Sequence, residues 1–332
     1  MSGRVLDVGG KSDMTEPNSP AQLLAQATAE YQKLAASLMA LNTQLAAMGI
    51  TVEPYPASLP NTQVHQSPPA PLLPGVTRPE VGADAAIRVR MLGPFQLEIK
   101  GRKFGPGVPG QVRTVLEYLI SQGRRPTPKD ALLDLLWPDA NPSVAYSRLR
   151  VVMHTLRKSI PCKELGLDDL VISSGNNFML NPQASLWVDV VEFERHWQNG
   201  WRYTRAGETQ QAMYEYEQAE ALYVGDYLED EPYADWTLLR REALRDAYAS
   251  ILTLLAGMSL EAEDYTGCII WAQKLLAQDN CREDAYRLLI ISHKRLGQAS
   301  RAAYWYKLCA LALQRELGME PSSETEAVFK RP

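Results

Sequence analysis

The sequence predicts a mainly α-helical protein with a small β part, in which a three-helix unit flanked by hairpins precedes an all-helical repeat. Three observations predict it. Residues 142–159 carry an apolar stripe at helical spacing opposite a cationic one. Short alternating segments that read as hairpins bracket this stretch, at 87–99 and 170–180. From residue 190 onward one helical pattern follows another, and two comparable helix starts stand 34 residues apart.

The central helix is bounded by its punctuation. Asn141 suits a cap, Pro142 suits a first helical position, and no breaker follows until Pro161. At about 100° per residue, Ala145, Leu149, Val152, Met153, Leu156 and Ile160 share one stripe, which must face a core. The opposite stripe is Ser147, Val151, His154 and Lys158, flanked by Arg150 and Arg157 on one side and by Arg148 and Thr155 on the other. It holds no carboxylate. A helix that meets only water usually mixes charge signs at spacings of three and four, so a face of one sign suits a polyanionic partner; a solvated basic face is the competing reading.

Upstream, 111–122 places Val112, Val115, Leu116, Leu119 and Ile120 at helical spacing, with Gly123 as its stop. A second helix is expected to run to Trp137, with Thr127 as its cap. Before these helices a hairpin turns at Gly93-Pro94. After them another turns through Ser174-Gly175-Asn176-Asn177, a tight-turn signal. Strands, three helices and a closing hairpin make a winged helix, expected over 87–186.

The charge distribution supports this division. The 332 residues carry a net charge of -5, which is unusual for a nucleic-acid binder taken whole. Residues 88–160, however, hold thirteen Lys or Arg against five Asp or Glu, so the basic charge is concentrated around the central helix, and the rest of the chain is acidic.

The stretches LLDLLWPDANPSVAYSRLRVVMHTLRKSI and GNNFMLNPQASLWVDVVEFE resemble the winged-helix half of the bacterial transcriptional activator domain regulators, the group that includes the antibiotic-pathway activators. GDYLEDEPYADWTLLRREALRDAY and CREDAYRLLIISHKRLGQASRAAYWYKLCALALQRELGMEPSSETEAV resemble that family's helical domain. The resemblance covers 87–330 in order. It implies a winged helix that reads promoter DNA and a helical domain that contacts RNA polymerase, a second protomer, or both. Carried onto this chain, it makes Ser147, Arg150, Val151, His154 and Thr155 the base-reading positions, with Arg148, Arg157 and Lys158 nearer phosphates, in agreement with the helical wheel. Arg can donate twice to guanine, Ser and His once, and Val151 can touch a thymine methyl. The chain departs from the family at the wing, whose tip offers Asn176 and Asn177 where a Lys or Arg is usual. The first helix also enters with Gln111 and Arg113 in place of a stronger basic cluster.

Ahead of the winged helix, residues 1–18 are expected to be disordered and 19–49 to form a coiled-coil helix. In it Leu24, Ala27, Tyr31, Leu34, Leu38, Leu41, Leu45 and Met48 recur at alternating steps of three and four. Leu24, Tyr31, Leu34, Leu38, Leu41 and Leu45 are the expected dimerisation seam; a single amphipathic helix docked on its own chain is the competing reading. Residues 50–86, with eight prolines from Pro54 to Pro79, read as an extended linker.

Residues 187–332 are expected to be a helical domain like tetratricopeptide repeats, with helices at 190–206, 208–223, 233–263, 264–278, 282–296, 298–317 and 322–330. Asp264-Tyr265 and Gln298-Ala299 open equivalent helices, and Cys268 and Ala302 match as small close-packing residues. Of Tyr304, Trp305 and Tyr306, at least one of the first two is expected in the core, and the others could line a concave binding surface. Residues 225–232 are expected to be a loop whose acids could touch a basic partner.

Other chemistries find little support. The run 105–110 is glycine-rich but lacks the Lys and Ser/Thr of a phosphate loop. His65, His154, His196 and His293 are scattered, and the four cysteines have no paired spacing. No apolar run approaches the roughly 18 residues of a membrane span. The expectation is therefore a cytoplasmic, non-enzymatic, sequence-specific DNA-binding transcriptional regulator, an activator and homodimer without cofactor or metal, whose partners are double-stranded promoter DNA and RNA polymerase or another regulatory protein. The alternative is a non-catalytic interaction adaptor with a degenerate winged helix.

Overall fold

The computed structural model describes residues 85–104 and 108–331, all within one compact unit. The expected disordered start, coiled-coil seam and most of the linker, and with them Leu24, Tyr31, Leu34, Leu38, Leu41 and Leu45, lie outside the described residues. Among the described residues the chain is mainly helical with two small sheets, and no helix is long and apolar enough to cross a membrane.

The first hairpin is β1 (Ile87–Arg90) and β2 (Gln96–Ile99), antiparallel in the register Ile87↔Ile99 and Val89↔Leu97. Alternation is what makes it: Ile87, Val89, Leu97 and Ile99 face inward and are buried, while Arg88 and Glu98 take the other face. Two further strands extend this sheet beyond expectation. Strand β3 (Arg102–Phe104) pairs antiparallel with β2, and β7 (Leu186–Val188) pairs parallel with β1, giving the order β3-β2-β1-β7. Both are only three residues long; β3 turns straight back on β2 through Lys100-Gly101, whereas the pairing of β7 with β1 joins distant parts of the chain.

Helix α1 (Gly110–Ser121) buries Val112, Val115, Leu116, Leu119 and Ile120. Helix α2 (Lys129–Leu136) starts one residue later than a cap at Thr127 would place it, and Thr127 does not cap it. Thr127 and Pro128 instead form β4, a two-residue strand paired with Phe178 and Asn177. Pro128 occupies the N-cap position, so Thr127 stands one residue too early to cap, and its buried hydroxyl has no hydrogen-bond partner. Helix α3 (Pro142–Ser159) has the expected bounds, and the Asn141 side chain accepts from the Ser143 N–H at 3.0 Å. A 3-10 turn, Cys162–Leu165, leads to the closing hairpin of β5 (Val171–Ser174) and β6 (Asn177–Leu180), in a second sheet ordered β4-β6-β5. The turn itself is Gly175-Asn176; Gly175 has φ +58°, a left-handed conformation that glycine adopts without penalty. Asn177 is therefore not at the tip but in β6, opposite Ser174.

Seven helices follow: α4 (Asp189–Ala206), α5 (Thr209–Leu222), α6 (Asp235–Glu261), α7 (Tyr265–Gln278), α8 (Glu283–Arg295), α9 (Ala299–Leu317) and α10 (Ser323–Lys330). Their bounds fall within two residues of those expected. α7 and α9 start 34 residues apart, and Cys268 and Ala302 are both fully buried, as close packing between successive helices requires. Gly200 serves the same end in α4: a Cβ there would lie 2.5 Å from the buried ring of Tyr216 on α5. The aromatic triplet divides. Trp305 packs against Tyr286, Tyr306 stacks on Phe329 of α10, and Tyr304 stays half exposed.

Residues 87–186 and 187–332 share one continuous hydrophobic core from Ile87 to Ala285, with a small second cluster at Tyr286, Cys309 and Leu313. The seam between the halves is polar and ordered. Strand β7 joins the first sheet and α4 begins at once with Asp189, whose buried carboxylate accepts from the N–H groups of Met91 at 2.8 Å, Leu92 at 2.9 Å and Val190 at 2.8 Å. Loop 225–231 closes over the β1–β2 turn: Leu228 N–H donates to the Met91 carbonyl and Gly93 N–H to the Asp226 carbonyl. Buried Arg241 of α6 holds that loop from beneath by donating to the carbonyls of Tyr227, Leu228 and Glu231.

Candidate nucleic-acid interface

Helix α3 divides as its sequence requires. Ala145, Leu149, Val152, Met153, Leu156 and the following Ile160 are all buried, and full burial of a side chain such as Leu149 or Leu156 contributes roughly 1.5–3 kcal/mol. That anchoring fixes which residues face out: Ser147, Arg148, Arg150, Val151, His154 and Lys158 are exposed, and Thr155 and Arg157 are half-buried. The whole helix contains no acidic residue. Val151 is 65 % exposed, an apolar side chain presented to solvent at the centre of a polar face.

The hydroxyls on this face are held by their own helix. Ser147 donates to the Ser143 carbonyl at 3.0 Å and Thr155 to the Val151 carbonyl at 2.9 Å, which fixes their rotamers and leaves lone pairs directed outward. Near the start of the helix the Tyr146 hydroxyl donates to Asp130 of α2, tying the two helices together and raising the Tyr146 hydroxyl above the ordinary tyrosine range through that hydrogen bond.

Arg157 differs from its cationic neighbours. Its guanidinium turns to β5, donating to the Val171 carbonyl at 3.3 Å and to the Ser173 hydroxyl at 2.9 Å, with Asp169 at 3.4 Å. It joins the helix to the hairpin, so the wheel position that predicts a phosphate contact here is occupied by a side chain committed inside the fold. At the hairpin, Asn176 is exposed and its carbonyl accepts from the Lys129 N–H at 3.0 Å, whereas Asn177 is half-buried. The structure thus gathers Ser147, Arg148, Arg150, Val151, His154 and Lys158 on one outward face and sets Arg157, Asn176 and Asn177 apart from it.

Three features of the seam carry no signal in the sequence. Arg113 of α1 donates to Glu117 at 2.6 Å and to Asp230 of the 225–231 loop, and its guanidinium lies 5.5 Å from the Phe95 ring centroid. Glu117 is fully buried, and desolvation lifts its carboxyl to about 7, against the lowering effect of Arg113. Desolvation likewise raises Asp189 to about 6, although three N–H groups favour its ionised form. Two acids of 225–231, the cluster that could touch a basic partner, meet basic residues of the same chain: Asp230 with Arg113 and Asp226 with Arg245.

The comparisons agree with this architecture. Residues 188–331 match the bacterial transcriptional activator domain. The chain is similar to transcriptional regulatory protein MoaR1 of Mycobacterium tuberculosis, 22 % identical over 246 residues that cover 74 % of this chain and 79 % of that one. It is also similar to regulatory protein DnrI of Streptomyces peucetius, at 25 % identity over 72 % of this chain and 89 % of that one. Among solved structures, Mycobacterium tuberculosis EmbR in complex with a low-affinity phosphopeptide shares the fold with a TM-score of 0.62 and 23 % identity, over 75 % of this chain and 65 % of that chain. A parallel strand that runs straight into α4, followed by the paired helices of 188–331, is where the match to the bacterial transcriptional activator domain lies.

Proposed function

We propose that this transcription regulator binds duplex DNA through a winged helix formed by residues 87–186, with α3 in the major groove, and that the helical residues 187–332 contact RNA polymerase or another regulatory protein. The observation that carries the reading is the outward face of α3: Arg148, Arg150 and Lys158 exposed, with no carboxylate in eighteen residues. A polyanion is the partner that such a face fits. Arg150 and His154, with Ser147, Val151 and Thr155, face base edges; Arg148 and Lys158 face phosphates. The two protomers of a homodimer would be joined through the seam at Leu24, Tyr31, Leu34, Leu38, Leu41 and Leu45. An interaction adaptor is the second reading, favoured by the uncharged hairpin tip and by the commitment of Arg157 to β5.

Sequencing genomic fragments captured by the full chain, beside an Arg150→Ala/His154→Ala variant, separates the two. DNA reading predicts a shared motif that the variant loses, with sequence discrimination falling by about 1–3 kcal/mol per lost base contact. No enrichment with the unaltered chain would leave the adaptor reading in place.

A further inference from the structure

A hairpin beside a reading helix meets the duplex backbone at its tip, where phosphates call for a donor or a positive charge. The turn Ser174-Gly175-Asn176-Asn177 has no Lys or Arg. A lysine from another element stands there. Lys129 follows β4 directly, and the β4–β6 register, Thr127↔Phe178 and Pro128↔Asn177, carries it to the tip end of the hairpin, where its N–H donates to the Asn176 carbonyl at 3.0 Å. Its Nζ lies 3.2 Å from the Gly175 carbonyl oxygen and 5.7 Å from the centroid of the Phe178 ring. An ammonium has three protons, and Gly175 accepts one of them. The adjacent carboxylate of Asp130 is engaged by the Tyr146 hydroxyl of α3, so Lys129 is carried on the same frame as the reading face.

We propose that Lys129 is the cation of this wing, supplied from the start of α2 in place of a basic residue in the hairpin, and that its ligand is a backbone phosphate of duplex DNA. The inference rests on the DNA-binding reading above. It explains how a neutral tip keeps a backbone contact, and it adds a residue that neither the helical wheel nor the hairpin sequence marks.

The test is equilibrium binding of the full chain to a long mixed-sequence duplex across a range of salt concentrations. Lys129→Gln should make the slope of log affinity against log salt shallower by about 0.9 and weaken binding on the order of tenfold at roughly 0.1 M salt, equally for all sequences. Lys129→Arg should keep the slope, and adding Asn176→Lys to Lys129→Gln should restore it, because the charge returns to the tip. An unchanged slope in Lys129→Gln, beside a steep slope in the unaltered chain, overturns the inference alone. A loss that Asn176→Lys does not repair also overturns it, since the lysine would then act only through the conformation of the hairpin. Failure of the unaltered chain to bind any duplex removes the DNA reading and this inference together.

Discussion

The outer face of α3 and the seam around loop 225–231 are both rich in charge, yet they use it in opposite ways. On α3, Arg148, Arg150 and Lys158 point away from the protein, with no acid on their helix to answer them. At the seam, Arg113, Arg241 and Arg245 turn inward onto Glu117, Asp230, Asp226 and backbone carbonyls. The difference lies in what each guanidinium can reach. α3 is anchored along one stripe by apolar contacts, so its far side is left to solvent or to a partner. The seam brings three elements together at once, and each buried carbonyl or carboxylate there needs a donor. Charge density in a sequence therefore does not by itself distinguish a binding face from a structural joint.

The contrast can be broken most severely at Asp189. Asp189→Ala leaves the buried N–H groups of Met91, Leu92 and Val190 without their acceptor, and unfolding in urea should show a loss of about 3 kcal/mol or more. A loss below about 1 kcal/mol would mean that β1 and α4 are held together by apolar packing alone.

Glu117 gives the next largest effect, and its sign is opposite to that of an ordinary surface carboxylate. Burial holds its pKa at about 7, above the usual 4.5, so between those values the folded chain retains a proton that the unfolded chain has released. Stability from this group falls as pH rises through that window and levels off above it, by on the order of 3 kcal/mol in all. Asp189, raised from 3.8 to about 6, acts in the same sense between those values. Thermal unfolding from pH 5 to 8 should therefore show a steeper decline for the unaltered chain than for Glu117→Gln; parallel curves would exclude a protonated Glu117.

The smallest effect sharpens the comparison within α3 itself. Lys158→Ala should reduce duplex affinity for every sequence and lower the salt slope by about 0.9. Arg157→Ala should leave the slope unchanged and instead loosen β5, read as faster amide exchange at Val171 and Ser173, because its donors are engaged there. Equal salt effects from the two substitutions would return Arg157 to the phosphate-facing set.

Much of the fold was legible because its signals are local. The α3 bounds follow from Asn141, Pro142 and Pro161, and its buried stripe from spacing alone. The helices after 190 were legible within two residues for the same reason. Thr127 shows where that reading stops: by composition it is a cap, but Phe178, 51 residues away, takes it into a strand. Arg157 and Lys158 show the same limit at the candidate site. They are neighbours in sequence that the wheel places on the same cationic side, and the presence of Ser173 and the Val171 carbonyl beside one of them gives it another task.

By itself, then, the sequence determined the elements, the buried stripe of α3 and the cationic sign of its opposite face, since periodicity and capping act over a few residues. Tertiary structure alone decided that the two halves share a core, that Asp189 and Arg241 bind the seam, and that Lys129 reaches the hairpin tip. Each of these depends on groups brought together from distant parts of the chain, where burial and strand register, not local preference, set the partner.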